Sequence, residues 1–268
     1  MMLSGHDLKL VERVNMIQSS ANFVVENLEV SFNGFKAVDG MNLKIYDGEL
    51  RVLLGANGAG KTTLMDLISG RTKSTGGKVL LNGKNITNWE EHLIAREGIG
   101  RKFQIPNVFR ELTVRQNFLI ADCRQTGVFS NVLKGIGRTL PENVQYAVEL
   151  TELGDVLDRE AAILSHGQTQ WLEIGMLLVQ NPQLILLDEP TAGMTAQETQ
   201  KTAEIITRLK GQHTILVVEH DMGFVRAICE RITVMHQGRN LAEGTVKEIE
   251  NSEAVKAAYL GSGGIGHA

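Results

Sequence analysis

A short apolar run, Leu50 to Leu54, stops at glycine and passes directly into Gly55-Ala56-Asn57-Gly58-Ala59-Gly60-Lys61-Thr62. This is the full P-loop pattern, G-x-x-x-x-G-K-[ST], between an apolar strand and an apolar-patterned helix that opens near Thr63. Glycines there let backbone N–H groups turn inward around an anion, at positions where a Cβ would clash. The following helix N-terminus adds its partial positive charge. Gly55, Asn57, Gly58, Ala59, Gly60, Lys61, Thr62 and Thr63 therefore line a phosphate cradle. Lys61 reaches the β- and γ-phosphates, and the Thr62 hydroxyl binds Mg²⁺.

The flanking pattern belongs to an α/β chain. Strands buried on both faces read as continuous apolar runs, and such runs recur at Leu184–Leu187 and Thr214–Val218. Between them Thr195 and Glu198 form a capping-box signature for a helix running towards Gly211. Strand, helix, strand at this spacing predicts a parallel sheet. Before the cradle, Val24, Val25, Leu28 and Val30 lead to Phe32, and Leu43 and Ile45 suggest a second strand. Gly77–Thr87 reads as a hairpin turning at Asn82-Gly83. From about Trp89 to Leu164 the chain is mostly helical in character, with loop-like pieces at Asn107–Thr113 and Thr126–Gly137; this stretch reads as an insertion into the sheet. Residues 1–21 form a leader, and 251–268 a C-terminal helix with a Gly-rich tail; 245–268 hold one short helix.

Leu184-Ile185-Leu186-Leu187-Asp188-Glu189-Pro190 is an apolar strand ending in two carboxylates. A strand tip beside the cradle is where phosphate-bound Mg²⁺ belongs. Asp188 is the metal's partner, directly or through water, and Glu189 is left to orient and deprotonate an attacking water. The two jobs fall to different residues because neighbours on a strand face opposite ways.

Further motifs carry a family resemblance. Leu164-Ser165-His166-Gly167-Gln168 resembles the signature motif of ABC ATPases, and it lies just upstream of the acidic pair as it does there. Gln104, in Arg101-Lys102-Phe103-Gln104, is similar to that family's Q-loop glutamine. His220, in Val218-Glu219-His220-Asp221, is similar to its switch histidine. Phe32 falls where the family places an aromatic that stacks on adenine; as a strand residue it reads equally as core, and Phe35 is a rival. The resemblance spans roughly residues 22–250. It implies a P-loop (RecA-like) parallel sheet core with an N-terminal antiparallel β part and an inserted helical subdomain at about 89–164. The implied ligands are ATP and Mg²⁺, with Gln104 joining Thr62 and Asp188 at the metal.

The same resemblance implies a head-to-tail dimer. Each ATP lies between the P-loop of one subunit and Ser165, Gly167 and Gln168 of the other. Glu189, His220 and Gln104 form the catalytic set. The family's partners follow: membrane-spanning permease subunits, a second ATPase subunit (a copy or a sister chain) and, indirectly, an extracytoplasmic solute-binding protein. The implied location is cytoplasmic, on the inner face of the cell membrane. Two departures stand out. His166 replaces the commoner first glycine of the signature, and Thr195 closes a loop that many relatives end in aspartate.

Gly98–Thr113, Leu172-Glu173-Ile174 and Thr191–Met194 are similar to importers of branched-chain amino acids and urea. Ser165–Glu173 and Gly100–Pro106 are most similar to the urea-uptake ATPase subunit, so urea is the expected solute and branched-chain amino acids the alternative.

Composition narrows the rest. Twenty-seven basic against 31 acidic residues leave a net charge of −4, which gives a nucleic-acid backbone no basic face. No apolar run approaches the ~18 residues a membrane helix needs, so a soluble chain whose membrane work falls to partners is expected. Cys123 and Cys229 have no metal-like or redox-like spacing. A switch GTPase would carry an Asn-Lys-x-Asp guanine reader, and none occurs. A soluble ABC protein acting on DNA or ribosomes would carry a coiled-coil insertion or two cassettes.

Overall fold

The computed structural model describes residues 21–102, 107–126, 139–229 and 231–260. Alternating apolar residues from Phe23 build β1 (Ala21–Phe32), which pairs antiparallel with β2 (Phe35–Tyr46). Asn33 and Gly34, both at positive φ, make the two-residue turn that matches strand twist. β3 (Leu50–Leu54) feeds α1 (Lys61–Ile68) through the glycine loop. β4 (Gly76–Leu81) and β5 (Lys84–Asn85) form the expected hairpin at Asn82-Gly83. The first sheet runs β2-β1-β4-β5.

After α2 (Glu91–Glu97) comes β6 (Ile99–Lys102), then helices α3 (Val114–Thr126), α4 (Glu142–Thr151) and α5 (His166–Val179). β7 (Leu184–Asp188), α6 (Ala196–Leu209), β8 (Thr214–Glu219), α7 (Met222–Ile228), β9 (Arg231–His236) and β10 (Arg239–Gly244) follow. The second sheet has the order β10-β9-β3-β8-β7-β6, parallel apart from the β9–β10 hairpin. Every residue of β3, β7 and β8 is buried, because both faces of this sheet are covered. Leu53, Leu186 and Leu216 pack towards α1 and the antiparallel sheet. Val52, Leu187 and Val217 pack towards α3–α7. Strand alternation thus divides one sheet between two cores.

Three expectations need correction. The stretch 89–164 is not wholly an insertion, because β6 lies within it and pairs with β7 from Ile99↔Leu184 to Lys102↔Leu187. Ile-Gly-Arg-Lys carries no apolar run, so its strand character comes from its partner rather than from propensity. The β9–β10 hairpin, turning at Gln237-Gly238, was not anticipated. The segment after 245 holds two helices, α8 (Val246–Asn251) and α9 (Glu253–Leu260), where one was expected. The leader to residue 20 and the tail from 261 lie outside the described residues. Within the helical layer α3 approaches α5 closely at Gly175, where a Cβ would meet Phe118 Cε1 at 2.6 Å.

The capping box of α6 is formed. Thr195 Oγ1 accepts from the Glu198 N–H (3.3 Å), and a Glu198 oxygen accepts from the Thr195 N–H (3.0 Å). Thr195→Ala is expected to lower folding stability by ~1 kcal/mol, the usual worth of a lost N-cap. Urea denaturation would show a lower midpoint at unchanged slope; an unchanged midpoint contradicts the cap's contribution.

Candidate active site

Parallel strands place their C-terminal ends on one edge, which is where open α/β sheets bind ligands. β3 ends there in the glycine loop, β7 in Asp188 and β8 in Glu219-His220. Gly60 has φ +103, and a Cβ on it would lie 2.4 Å from the Ala37 carbonyl. Gly58, at φ +79, has nothing near its missing Cβ; the cradle is open on that side. Lys61 is buried and folds back over the loop, donating to the Gly55 (2.6 Å) and Ala56 (3.1 Å) carbonyls. Burial pushes its ammonium below the ordinary lysine value, while the Glu189 and Asp188 carboxylates push the other way. Thr62 is exposed at the mouth of the loop, and Thr63 is half-buried behind it.

Asp188 is only 2 % exposed. Its Oδ2 accepts from Arg101 at 3.2 Å, while its Oδ1 is buried with no hydrogen-bond partner. Burial raises its carboxyl above the usual range, and the Arg101 guanidinium opposes that rise. Glu189 leaves the strand at φ +44, a left-handed backbone that costs a non-glycine residue ~1–3 kcal/mol and clusters at functional sites. Its side chain approaches His220, whose Nδ1 lies 3.7 Å from Glu189 Oε1. His220 is 63 % exposed.

Glu219 was missed in the sequence. It is buried at the end of β8, accepting from Thr191 Oγ1 (2.6 Å) and Thr191 N (3.3 Å) with one oxygen and from His220 N (3.1 Å) with the other. It ties the loop after the acidic pair to the backbone of His220. The signal available was a charge on the last residue of an otherwise apolar strand, Thr214–Glu219.

Ser165, Gly167 and Gln168 open α5. Ser165 caps the helix in a reciprocal box with Gln168, whose side chain is thereby engaged in the cap. The remaining donors turn to α6: Ser165 Oγ and the Gly167 N–H both donate to Glu198 Oε1, each at 3.1 Å. His166 Nε2 donates to the Ala192 carbonyl at 3.0 Å, so the residue that departs from the common signature pins it to the loop following the acidic pair. Phe32 and Phe35 face each other at the β1–β2 tip, 49 % and 69 % exposed; the reading of Phe32 as core fails. Gln104 lies outside the described residues.

The site thus unites a cationic glycine loop, one buried carboxylate with a free oxygen, and a second carboxylate near an imidazole. Mg-ATP fits it: the oxygen donors Thr62 and Asp188 suit a hard divalent cation, and the open, lysine-bearing cradle suits phosphates. Among the described residues no helix is long and apolar enough to cross a membrane.

Comparison with known proteins agrees with this geometry. The family model described as "ABC transporter" matches residues 38–192. The high-affinity branched-chain amino acid transport ATP-binding protein LivG of Escherichia coli K12 is 40 % identical over 246 residues, covering 88 % of this chain and 96 % of that one. Its counterpart BraF of Pseudomonas aeruginosa is 37 % identical over 248 residues, with the same coverage. The ADP conformation of MJ1267, an ATP-binding cassette of an ABC transporter, superposes with a TM-score of 0.78 at 31 % identity. That alignment covers 91 % of this chain and all of the other.

Proposed function

Because the chain belongs to the ABC transporter family, as one of its ATP-hydrolysing subunits, we propose that it drives an importer of branched-chain amino acids through partner permease subunits. The observation that carries the chemistry is the meeting of Lys61, Asp188, Glu189 and His220 at one sheet edge. The observation that favours the solute is the relatedness to LivG and BraF over nearly their full lengths. That relatedness moves the reading from urea to the alternative.

In this reading Lys61 and the loop N–H groups hold the phosphates of ATP. Thr62 and Asp188 hold Mg²⁺, joined by Gln104. The ion these residues would hold would supply positive charge against the charge that develops on the phosphates. Glu189 takes the proton of the attacking water, and His220 steadies that water and the γ-phosphate. Phe32 stacks on adenine. Ser165, Gly167 and Gln168 serve the nucleotide held by a second ATPase subunit, a copy or a sister chain.

A groove of about 660 Å³ lies between α2, α3 and α5, with Phe109, Ile120 and His92 on its walls. It suits a permease segment and so supports the reading in which the chain works on the inner face of the membrane; in that reading a solute-binding protein is contacted only indirectly, and nucleic acid has no part.

Uptake of labelled leucine and of labelled urea, compared between cells carrying this chain and cells carrying its Glu189→Gln form, tests the reading. Leucine uptake should fall to background while urea uptake is untouched. Loss of urea uptake alone, or of neither, overturns the assignment.

A further inference from the structure

Arg101 and Lys102 are adjacent cations on an edge strand, and alternation sends them to opposite faces of the sheet. Lys102 stands opposite Leu187 and approaches Glu173 of α5 at 3.8 Å. Arg101 stands opposite Leu186, on the face that Leu186 shares with Asp188. Its side chain is almost wholly buried. Nη1 donates to Asp66 Oδ1 (2.6 Å) and Ser69 Oγ (2.9 Å) at the C-terminal end of α1, and Nη2 donates to Asp188 Oδ2 (3.2 Å). One planar guanidinium therefore spans two carboxylates. One is on the helix that begins with Lys61 and Thr62, and the other is on the strand that ends beside them. A cation also suits the negative end of α1.

We propose that Arg101 is a positioning residue for the metal site: it occupies one oxygen of Asp188 so that the other, Oδ1, is presented to Mg²⁺. The argument rests on the ATPase reading and on Asp188 as the metal's partner. A buried carboxylate oxygen without a hydrogen bond is costly, and Oδ1 of Asp188 is one; a bound cation or its water relieves it. With Oδ2 committed to Arg101, rotation of the carboxyl that would hide Oδ1 breaks a charge-assisted bond. Asp66 in turn fixes the guanidinium, so one side chain ties the helix that carries the cradle to the acidic strand. Lysine, with a single charged tip, does not reproduce a fork that holds two carboxylates.

The test uses the full chain. Mn²⁺, standing in for Mg²⁺, is titrated into the ADP complex and followed by electron paramagnetic resonance, and ATP binding is measured separately in excess chelator. Arg101→Met should weaken Mn²⁺ about tenfold, the size of one lost charge-assisted hydrogen bond, while metal-free ATP affinity stays within about twofold. Arg101→Lys should recover part of the loss. Wild-type Mn²⁺ affinity in Arg101→Met, or equal losses of Mn²⁺ and metal-free ATP, overturns the proposal. Should Arg101→Met fail to fold, Asp66→Asn loosens the guanidinium and leaves it in place. Weaker Mn²⁺ there, with metal-free ATP retained, supports the proposal, and unchanged Mn²⁺ overturns it. Failure of the wild-type chain to bind metal-free ATP would instead defeat the nucleotide-site reading itself.

Discussion

Glu189→Gln is expected to bind ATP as tightly as the wild-type chain and to hydrolyse it about 10²–10⁴-fold more slowly, the usual effect of removing a general base. The two side chains have the same shape. The amide still hydrogen-bonds a water held near His220, but it cannot accept that water's proton. The left-handed backbone at Glu189 is equally strained for either residue, so folding stability should not change. ATP should then accumulate in a stable dimer, visible by size-exclusion chromatography with light scattering. Turnover at the wild-type rate would remove Glu189 from the role of base.

Lys61→Ala should lose ~1.5–3 kcal/mol of ATP binding, which is tenfold or more in affinity, because it withdraws a charge-assisted donor from the phosphates. Two effects oppose each other in the folded chain. The alanine gives up the bonds to the Gly55 and Ala56 carbonyls, but it also spares the desolvation of a buried ammonium. These offset, so the melting temperature should move little while nucleotide affinity collapses. Isothermal titration showing unchanged affinity contradicts the cradle. Mixing Lys61→Ala with Ser165→Arg, each inactive alone, should restore some phosphate release, since both lesions then fall in one composite site. Normal hydrolysis by Ser165→Arg in the assembled complex would exclude that sharing.

The glycine loop, β7, β8 and the capped α6 were legible because each is written locally. Three are long apolar runs or fixed-spacing motifs, and the fourth is a side-chain cap three residues wide. β6 and the β9–β10 hairpin were not legible in the same way. Arg101 and Lys102 look like surface residues, and carboxylates distant in sequence, Asp66, Asp188 and Glu173, help make their burial tolerable. Glu219 escaped for a related reason: its partners Thr191 and His220 lie in two loops that the sheet alone brings together. Ser165–Gln168 could be matched to a motif, yet the capture of Ser165 and Gly167 by Glu198 depends on how α5 and α6 meet. The solute lies further still from the sequence signal, since in the proposed reading its path runs through the partner permease subunits.

That capture has a consequence for how two such chains meet. One oxygen of Glu198 takes the Ser165 hydroxyl and the Gly167 N–H while the other keeps Thr195. In a sandwich with these donors turned to a neighbour's ATP, the incoming γ-phosphate has to evict a carboxylate from a filled seat. The donors exchange one anion for another, so the number of hydrogen bonds is conserved. The advantage goes to the oxygen carrying more negative charge. In that proposed sandwich a neighbour holding ADP would bring no such group, and Glu198 would stay. The helix entrance would then compare charges, favouring triphosphate over its product without any contact to the base or the sugar.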